Sequence, residues 1–230
     1  MNIKTSAKRA LWPALAVFSF ALQCMAVDRA GLDNRIFKLA AKLDAIQFKP
    51  DKRIPAEYLK KARGIVLLDR TKAGFVFGYQ GGTGVALAKD PKTDKWGPVA
   101  FMSANEGSLG LQIGGERNFF VFLLVNKDAV QMLTDSKFEL GGEARGTAGG
   151  ASDGEEGKVS PDHHSVIVYS DRKGLYGGAA VKAGTLAPDN DANRVYYKQF
   201  LTLKDILIDK MAQPTEAALI LAKKLDEYSQ

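Results

Sequence analysis

Apolar side chains recur at Leu32, Ile36, Leu39, Ala40, Leu43 and Ile46, which is the spacing of one helix face. Arg35, Lys38 and Lys42 fall on another side of the same turns, so an amphipathic helix is predicted from about Leu32 to Gln47. Pro50 and Pro55 bracket a polar link, Pro55 suits the first turn of a short second helix, and Gly64 ends it. The period then changes. Ile65 to Leu68 is a buried run, and Phe75, Phe77, Tyr79, Val85, Leu87, Val99, Phe101, Leu109, Leu111 and Ile113 continue with strand-like alternation. Phe119 to Val125 reads as a central strand, and Asn126 as the N-cap of a helix over Lys127 to Leu133. Further strands are predicted at Phe138 and Leu140, Val166 to Tyr169, and Leu175-Tyr176 with Ala179 and Val181. Helices over Leu203 to Lys210 and Pro214 to Glu227 close the chain.

Strands joined by tight turns favour antiparallel pairing over a βαβ wind. The predicted class is α+β: a curved antiparallel β-sheet, barrel- or sandwich-like, with helices packed at its ends. The 230 residues and 46% apolar content suffice for one substantial core.

The first 26 residues carry a different pattern. Lys4, Lys8 and Arg9 precede an apolar run from Leu11 to Leu22, and Cys24-Met25-Ala26 supplies small residues for cleavage after Ala26. The expected organisation is a signal peptide over 1–26 and a single domain over 27–230, with an uncleaved anchor and an N-terminus lipidated at Cys24 as the alternatives. That places the chain in the periplasm or outside the cell, peripherally associated with membrane. Cys24 is the only cysteine, so the cleaved chain contains no disulfide.

Charge is uneven. Arg29 to Arg63 holds ten basic and four acidic residues, net +6, whereas Gly64 to Gln230 holds nineteen and twenty-one, net −2. One basic end on a near-neutral body fits attraction to an anionic surface. It does not fit nucleic acid, whose readers spread cations and exposed aromatics along a groove.

Catalytic patterns are missing. Gly78 to Gly84 is glycine-rich, but Val85 stands where a phosphate loop needs lysine, and a strand follows where a dinucleotide site needs a helix. Bulges in a twisted sheet are the expected reading. His163 and His164 are adjacent, so they point to opposite faces of a strand and are poorly placed to share a metal. Asp189, Asp191 and Asn193 begin like a calcium loop, but Arg194 and Phe200 occupy its glycine and glutamate positions. No Gly-x-Ser-x-Gly elbow occurs. The expectation is a protein that is not an enzyme and has no cofactor or metal.

The stretches Ile54-Pro55, Leu59 to Ile65, Lys72 to Phe75, Gly81 to Val85, Trp96, Gln112 to Gly114, Asp128 to Val130, Tyr169-Ser170, Lys173 to Gly178, Asn193-Arg194 and Tyr196-Tyr197 resemble the SYLF-domain family in order and spacing. The resemblance implies binding of acidic phospholipids, such as phosphoinositides or phosphatidic acid, without catalytic residues. Eukaryotic members are also linked to actin. The leader resembles that of bacterial secreted members, for which an actin partner is not expected. The candidate lipid-binding residues are Arg35, Lys38, Lys42, Lys52, Arg53, Lys60, Lys61 and Arg63. Two alternatives remain: an envelope scaffold that binds a protein partner, and a lipid carrier whose cavity is lined by residues such as Phe75, Phe101 and Phe122.

Overall fold

The structure is a computed structural model that describes residues 27–51, 53–74, 78–108, 114–134, 138–140, 165–171, 174–177 and 184–230. In chain order the elements are α1 (Arg29–Gln47), α2 (Ala56–Lys61), β1 (Gly64–Gly74), β2 (Gly78–Ala88), β3 (Ala100–Ser108), β4 (Gly114–Leu124), α3 (Lys127–Met132), β5 (Phe138–Leu140), β6 (Val166–Ser170), β7 (Gly174–Gly177), β8 (Gly184–Pro188), α4 (Asn190–Tyr197), α5 (Leu203–Leu207) and α6 (Glu216–Tyr228).

Among the described residues eight strands form one sheet in the order β5-β8-β3-β2-β1-β4-β6-β7, with every pairing antiparallel. The predicted α+β class with a curved antiparallel sheet is therefore the one found, and the sheet is open rather than closed. The run Phe119 to Val125 lies largely within β4, which sits between β1 and β6 as a central strand should. The glycines of β2 do not form bulges. β2 pairs with β1 residue for residue from Gly78 to Ala88, and at Gly82 and Gly84 a Cβ would crowd the β1 backbone, so these two glycines serve close approach instead.

Alternation divides the strands between two cores. Ile65, Leu67, Val85, Leu87, Phe101, Phe119, Val121 and Tyr169 face one side and pack with α1, α4 and α6. Val66, Leu68, Ala86, Met102, Phe120, Phe122 and Val168 face the other and pack with α3 and α5. Phe101 and Phe122 thus lie on opposite faces and do not line one cavity. Phe75, the third residue named for a cavity, lies outside the described residues.

Side-chain caps set the helix starts. Asp28 accepts the Gly31 N–H at α1 (2.7 Å), Asn126 accepts that of Ala129 at α3 (2.8 Å), and Thr202 with Asp205 forms a reciprocal capping box at α5. Helix α1 buries the stripe predicted for it: Leu32, Ile36, Leu39, Ala40, Leu43 and Ile46 are all at most 5% exposed. Its N-terminal half is held by the Tyr196 hydroxyl, which donates to Asp33 (2.6 Å), and its C-terminal half by Asp44, which accepts from Lys224 and Tyr228 (2.7 Å each).

Candidate functional site

Three of the eight predicted cations are occupied by carboxylates that lie far away in sequence. The Arg35 guanidinium donates to Asp189 at 2.9 Å and lies over the Phe101 ring, 5.4 Å from its centroid. Its side chain is only 17% exposed, so it ties α1 to the cap of α4. The Lys42 ammonium donates to Asp69 of β1 at 2.8 Å and stands 5.8 Å from the Phe119 ring centroid. Arg63 pairs with Asp94 at the tip of the β2–β3 connection.

The remaining predicted residues are placed differently. Lys38, Arg53 and Lys60 are exposed and form no ion pair among the described residues. Lys61 is exposed but engaged. Lys52 lies outside the described residues. Lys49, just past the end of α1, is exposed too. Below this edge, Lys89 is buried beside Trp96, with its ammonium 5.0 Å from the ring centroid, and it donates to the Lys60 carbonyl at 3.2 Å. Burial pushes the Lys89 ammonium below its ordinary pKa, while Asp94 acts in the opposite direction.

A half-open groove of about 290 Å³ runs between α1 and the sheet, lined by Gly31, Arg35, Lys38, Leu39, Asp69 and Thr83. Helical periodicity brings Gly31, Arg35, Lys38 and Lys42 to one edge of α1, and that edge overhangs the groove. The sequence pattern contained the two cations but not the sheet residues Asp69 and Thr83 that complete the groove. Such an arrangement can hold anionic oxygen atoms by charge-assisted hydrogen bonds.

The calcium-like sequence has another use. Asp189 caps α4, accepting the Ala192 N–H at 3.1 Å, and also holds Arg35. Asn193 is buried, and its amide oxygen and nitrogen each bond the Phe101 backbone. Among the described residues no group of three or more His, Cys, Asp or Glu is placed to hold a metal ion, and His163 and His164 lie outside them. No helix among the described residues is long and apolar enough to cross a membrane.

The architecture defines the class: an antiparallel sheet domain covered by helices on both faces, with a cationic edge along its first helix. Residues 105–228 match the family Ysc84, described as Las17-binding protein actin regulator, and the chain belongs to that family, the SYLF family its motifs resemble. The chain is 34% identical over 188 residues to LAS seventeen-binding protein 3 of Saccharomyces cerevisiae, covering 77% of this chain and 40% of that protein. It is 32% identical over 179 residues to Protein YSC84 of the same yeast, covering 76% of this chain and 38% of that one. It is 34% identical over 171 residues to the SH3 domain-containing YSC84-like protein 1 of Rattus norvegicus, covering 73% and 50%. The chain thus spans half or less of these relatives' length. No solved structure matches it.

Proposed function

We propose that this chain binds anionic phospholipids at a membrane surface, without catalysis, through the basic region that α1 and α2 present. The reading extends to a periplasmic or secreted location, peripheral to the membrane. The observation that carries it is a difference between acids and bases on α1. Asp28, Asp33 and Asp44 are engaged in caps and hydrogen bonds, whereas Lys38 is exposed without an ion pair. Arg53 and Lys60 are exposed without an ion pair beyond the end of the helix. Asp51 and Glu57 are also exposed there and offset part of that charge, but ten basic against four acidic residues from Arg29 to Arg63 leave the region positive. Each basic residue beside an anionic bilayer contributes about 1 kcal/mol, so three engaged together strengthen binding roughly a hundredfold. Arg35, Lys42 and Arg63 act mainly as fasteners in this reading, and they add to the local potential only as far as their carboxylate partners leave them free.

The test is co-sedimentation with neutral and with anionic vesicles at low and high salt. Binding restricted to anionic vesicles and weakened by salt is the expected result. Equal binding to neutral vesicles, or none to either, would refute the electrostatic reading.

A second reading is capture of a protein partner. It is favoured by relatives whose names describe Las17 binding and SH3 domains. It predicts retention of a purified partner by a variant that no longer binds vesicles.

A further inference from the structure

Helix α1 has two apolar stripes, and only one of them is buried. The second runs along its solvent side through Ala30, Asn34, Phe37, Ala41, Ala45 and Phe48, at helical spacing and without a charged residue. All six are exposed; Phe37 is 41% exposed and Phe48, the C-cap, 78%. A solvent-facing stripe with a single polar residue is unlike an ordinary surface helix, whose outer face is charged.

The two edges of this stripe differ. On one side stand Lys38, which lines the groove, Lys42, which pairs with Asp69, and Lys49 just past the helix end. On the other stand Asp33 and Asp44, turned toward α4 and α6 and engaged by Tyr196, Lys224 and Tyr228. Helix α6 runs parallel to α1, because Asp33 shares the Tyr196 hydroxyl with Thr215 while Asp44 meets Lys224 and Tyr228. Ile220, one turn before Lys224 on the same edge of α6, therefore stands alongside the Phe37 end of the stripe, and it is 39% exposed.

We infer that this outer stripe of α1 seats in the boundary between headgroups and acyl chains of an anionic bilayer, with Phe37 and Phe48 as its apolar anchors and Ile220 beside them. The inference rests on the proposed phospholipid binding and adds its geometry. The buried stripe stays in the core, and the helix lies flat on the membrane through its opposite side. Charge complementarity selects this occupant. An apolar stripe with a lysine edge matches a surface whose acyl chains lie beneath anionic headgroups. Because α1 stays docked, penetration is shallow and needs no unfolding.

The experiment uses the chain from Val27 onward, as the expected cleavage leaves it and without cysteine, carrying one environment-sensitive nitrobenzoxadiazole label. The label is placed through Phe48→Cys on the stripe, or through Lys127→Cys on α3, which covers the opposite face of the sheet. With vesicles of phosphatidylcholine and phosphatidylglycerol, the label at position 48 should brighten and be quenched by nitroxides on the upper acyl chain. The label at position 127 should do neither. The double variant Phe37→Ser/Phe48→Ser, made in the unlabelled chain, should bind these vesicles about tenfold more weakly or worse at salt that screens the charges. Both phenylalanines are exposed, and an unchanged circular dichroism melt verifies folding. If the parent chain binds anionic vesicles while the label at 48 stays silent and the double variant binds equally, this inference falls and the electrostatic reading stands. If the parent chain does not bind at all, both fall. If the label at 48 brightens without lipid as protein concentration rises, and sedimentation shows a dimer that the double variant loses, a second copy covers the stripe and the inference is overturned.

Discussion

Asn193 of α4 brackets the backbone of Phe101 in β3. Its Oδ1 accepts the Phe101 N–H at 2.8 Å, and its Nδ2 donates to the Phe101 carbonyl at 3.1 Å. Strand β8 pairs with β3 only from Met102 to Ala104, so at Phe101 the neighbouring strand has ended. The buried amide takes its place, and the Asp189 N–H adds a second donor to the same carbonyl at 3.0 Å. One side chain thereby fixes α4 to the sheet and supplies the acceptor that the Phe101 N–H would otherwise lack.

Replacing Asn193 by alanine leaves the Phe101 N–H without this acceptor in a buried place. The expected loss is about 1–3 kcal/mol. Asn193→Asp should also destabilise, because a carboxylate accepts the N–H but cannot donate to the carbonyl, and its charge is buried. Urea denaturation checks both variants; wild-type stability in either would refute the bracketing role.

Gly84 of β2 gives a second stability prediction. A Cβ there would stand 2.7 Å from the Leu67 carbonyl oxygen and 3.3 Å from Leu68 Cδ1. The backbone oxygen belongs to the paired strand β1 and cannot swing away. Gly84→Ala is expected to cost about 1–3 kcal/mol through forced separation of β1 and β2. The measurement is a chemical-denaturation midpoint, with an unchanged midpoint as the refuting outcome.

Much of the fold was legible because periodicity is local. The buried stripe of α1, the apolar runs of β1 and β4 and the alternation of Val85 and Leu87 in β2 follow from spacing alone. Phe77, Leu109, Leu111, Ile113, Ala179 and Val181, also assigned to strands, lie outside the described residues. Helix α4 is not among the predicted elements because Asp189, Asp191 and Asn193 alternate as in the opening of a calcium loop, a pattern that masks the helical one. Its signal was present in Asp189 as a cap three residues before Ala192, with Tyr196 one turn further on. Strand order was not legible. β4 crosses to pair with β1, and β8 returns to β3, through contacts that no local pattern encodes. The site divides in the same way. Spacing brought Arg35, Lys38 and Lys42 to one side of a helix, but their carboxylate partners stand on β1 and α4. Counting charges therefore treated alike cations that the fold uses differently.

That difference yields a prediction about charge reversal. Arg35→Glu sets two carboxylates together at Asp189 in a mostly buried place, so it should destabilise the fold by roughly 2 kcal/mol or more. The triple reversal Lys38→Glu/Arg53→Glu/Lys60→Glu touches exposed residues without ion pairs and should leave the melt nearly unchanged. Its affinity for anionic vesicles should nevertheless fall at least about a hundredfold. Paired melting and vesicle titrations decide the matter. Undiminished vesicle binding by the triple variant would move the lipid site elsewhere.

Lys210 gives the pH prediction. It follows α5, its ammonium donates to the Ala88 carbonyl at 2.8 Å, and Gly97 leaves the space it occupies. Burial pushes its pKa from the ordinary 10.5 down to about 8, with Asp90 pulling weakly the other way. In the native protein it therefore releases its proton more readily than in the unfolded chain. Below about pH 8 both states carry the charge, and the cost of burying it is fully present. Between about 8 and 10.5 the unfolded state binds more protons, so the Lys210 contribution makes stability rise with pH. Lys89, also lowered by burial, acts in the same direction. Tyr196, raised to about 12 by burial and by its bond to Asp33, opposes them only above its ordinary value of 10. Lys210→Met removes the charge, while the Ala88 carbonyl keeps the Gly97 N–H at 2.9 Å. The variant should be more stable than the parent at pH 7, with a smaller rise between pH 8 and 10. Urea unfolding at half-unit pH steps measures both effects. A variant less stable at pH 7, with the parent's full rise intact, would mean that the Lys210 hydrogen bond outweighs the burial of its charge.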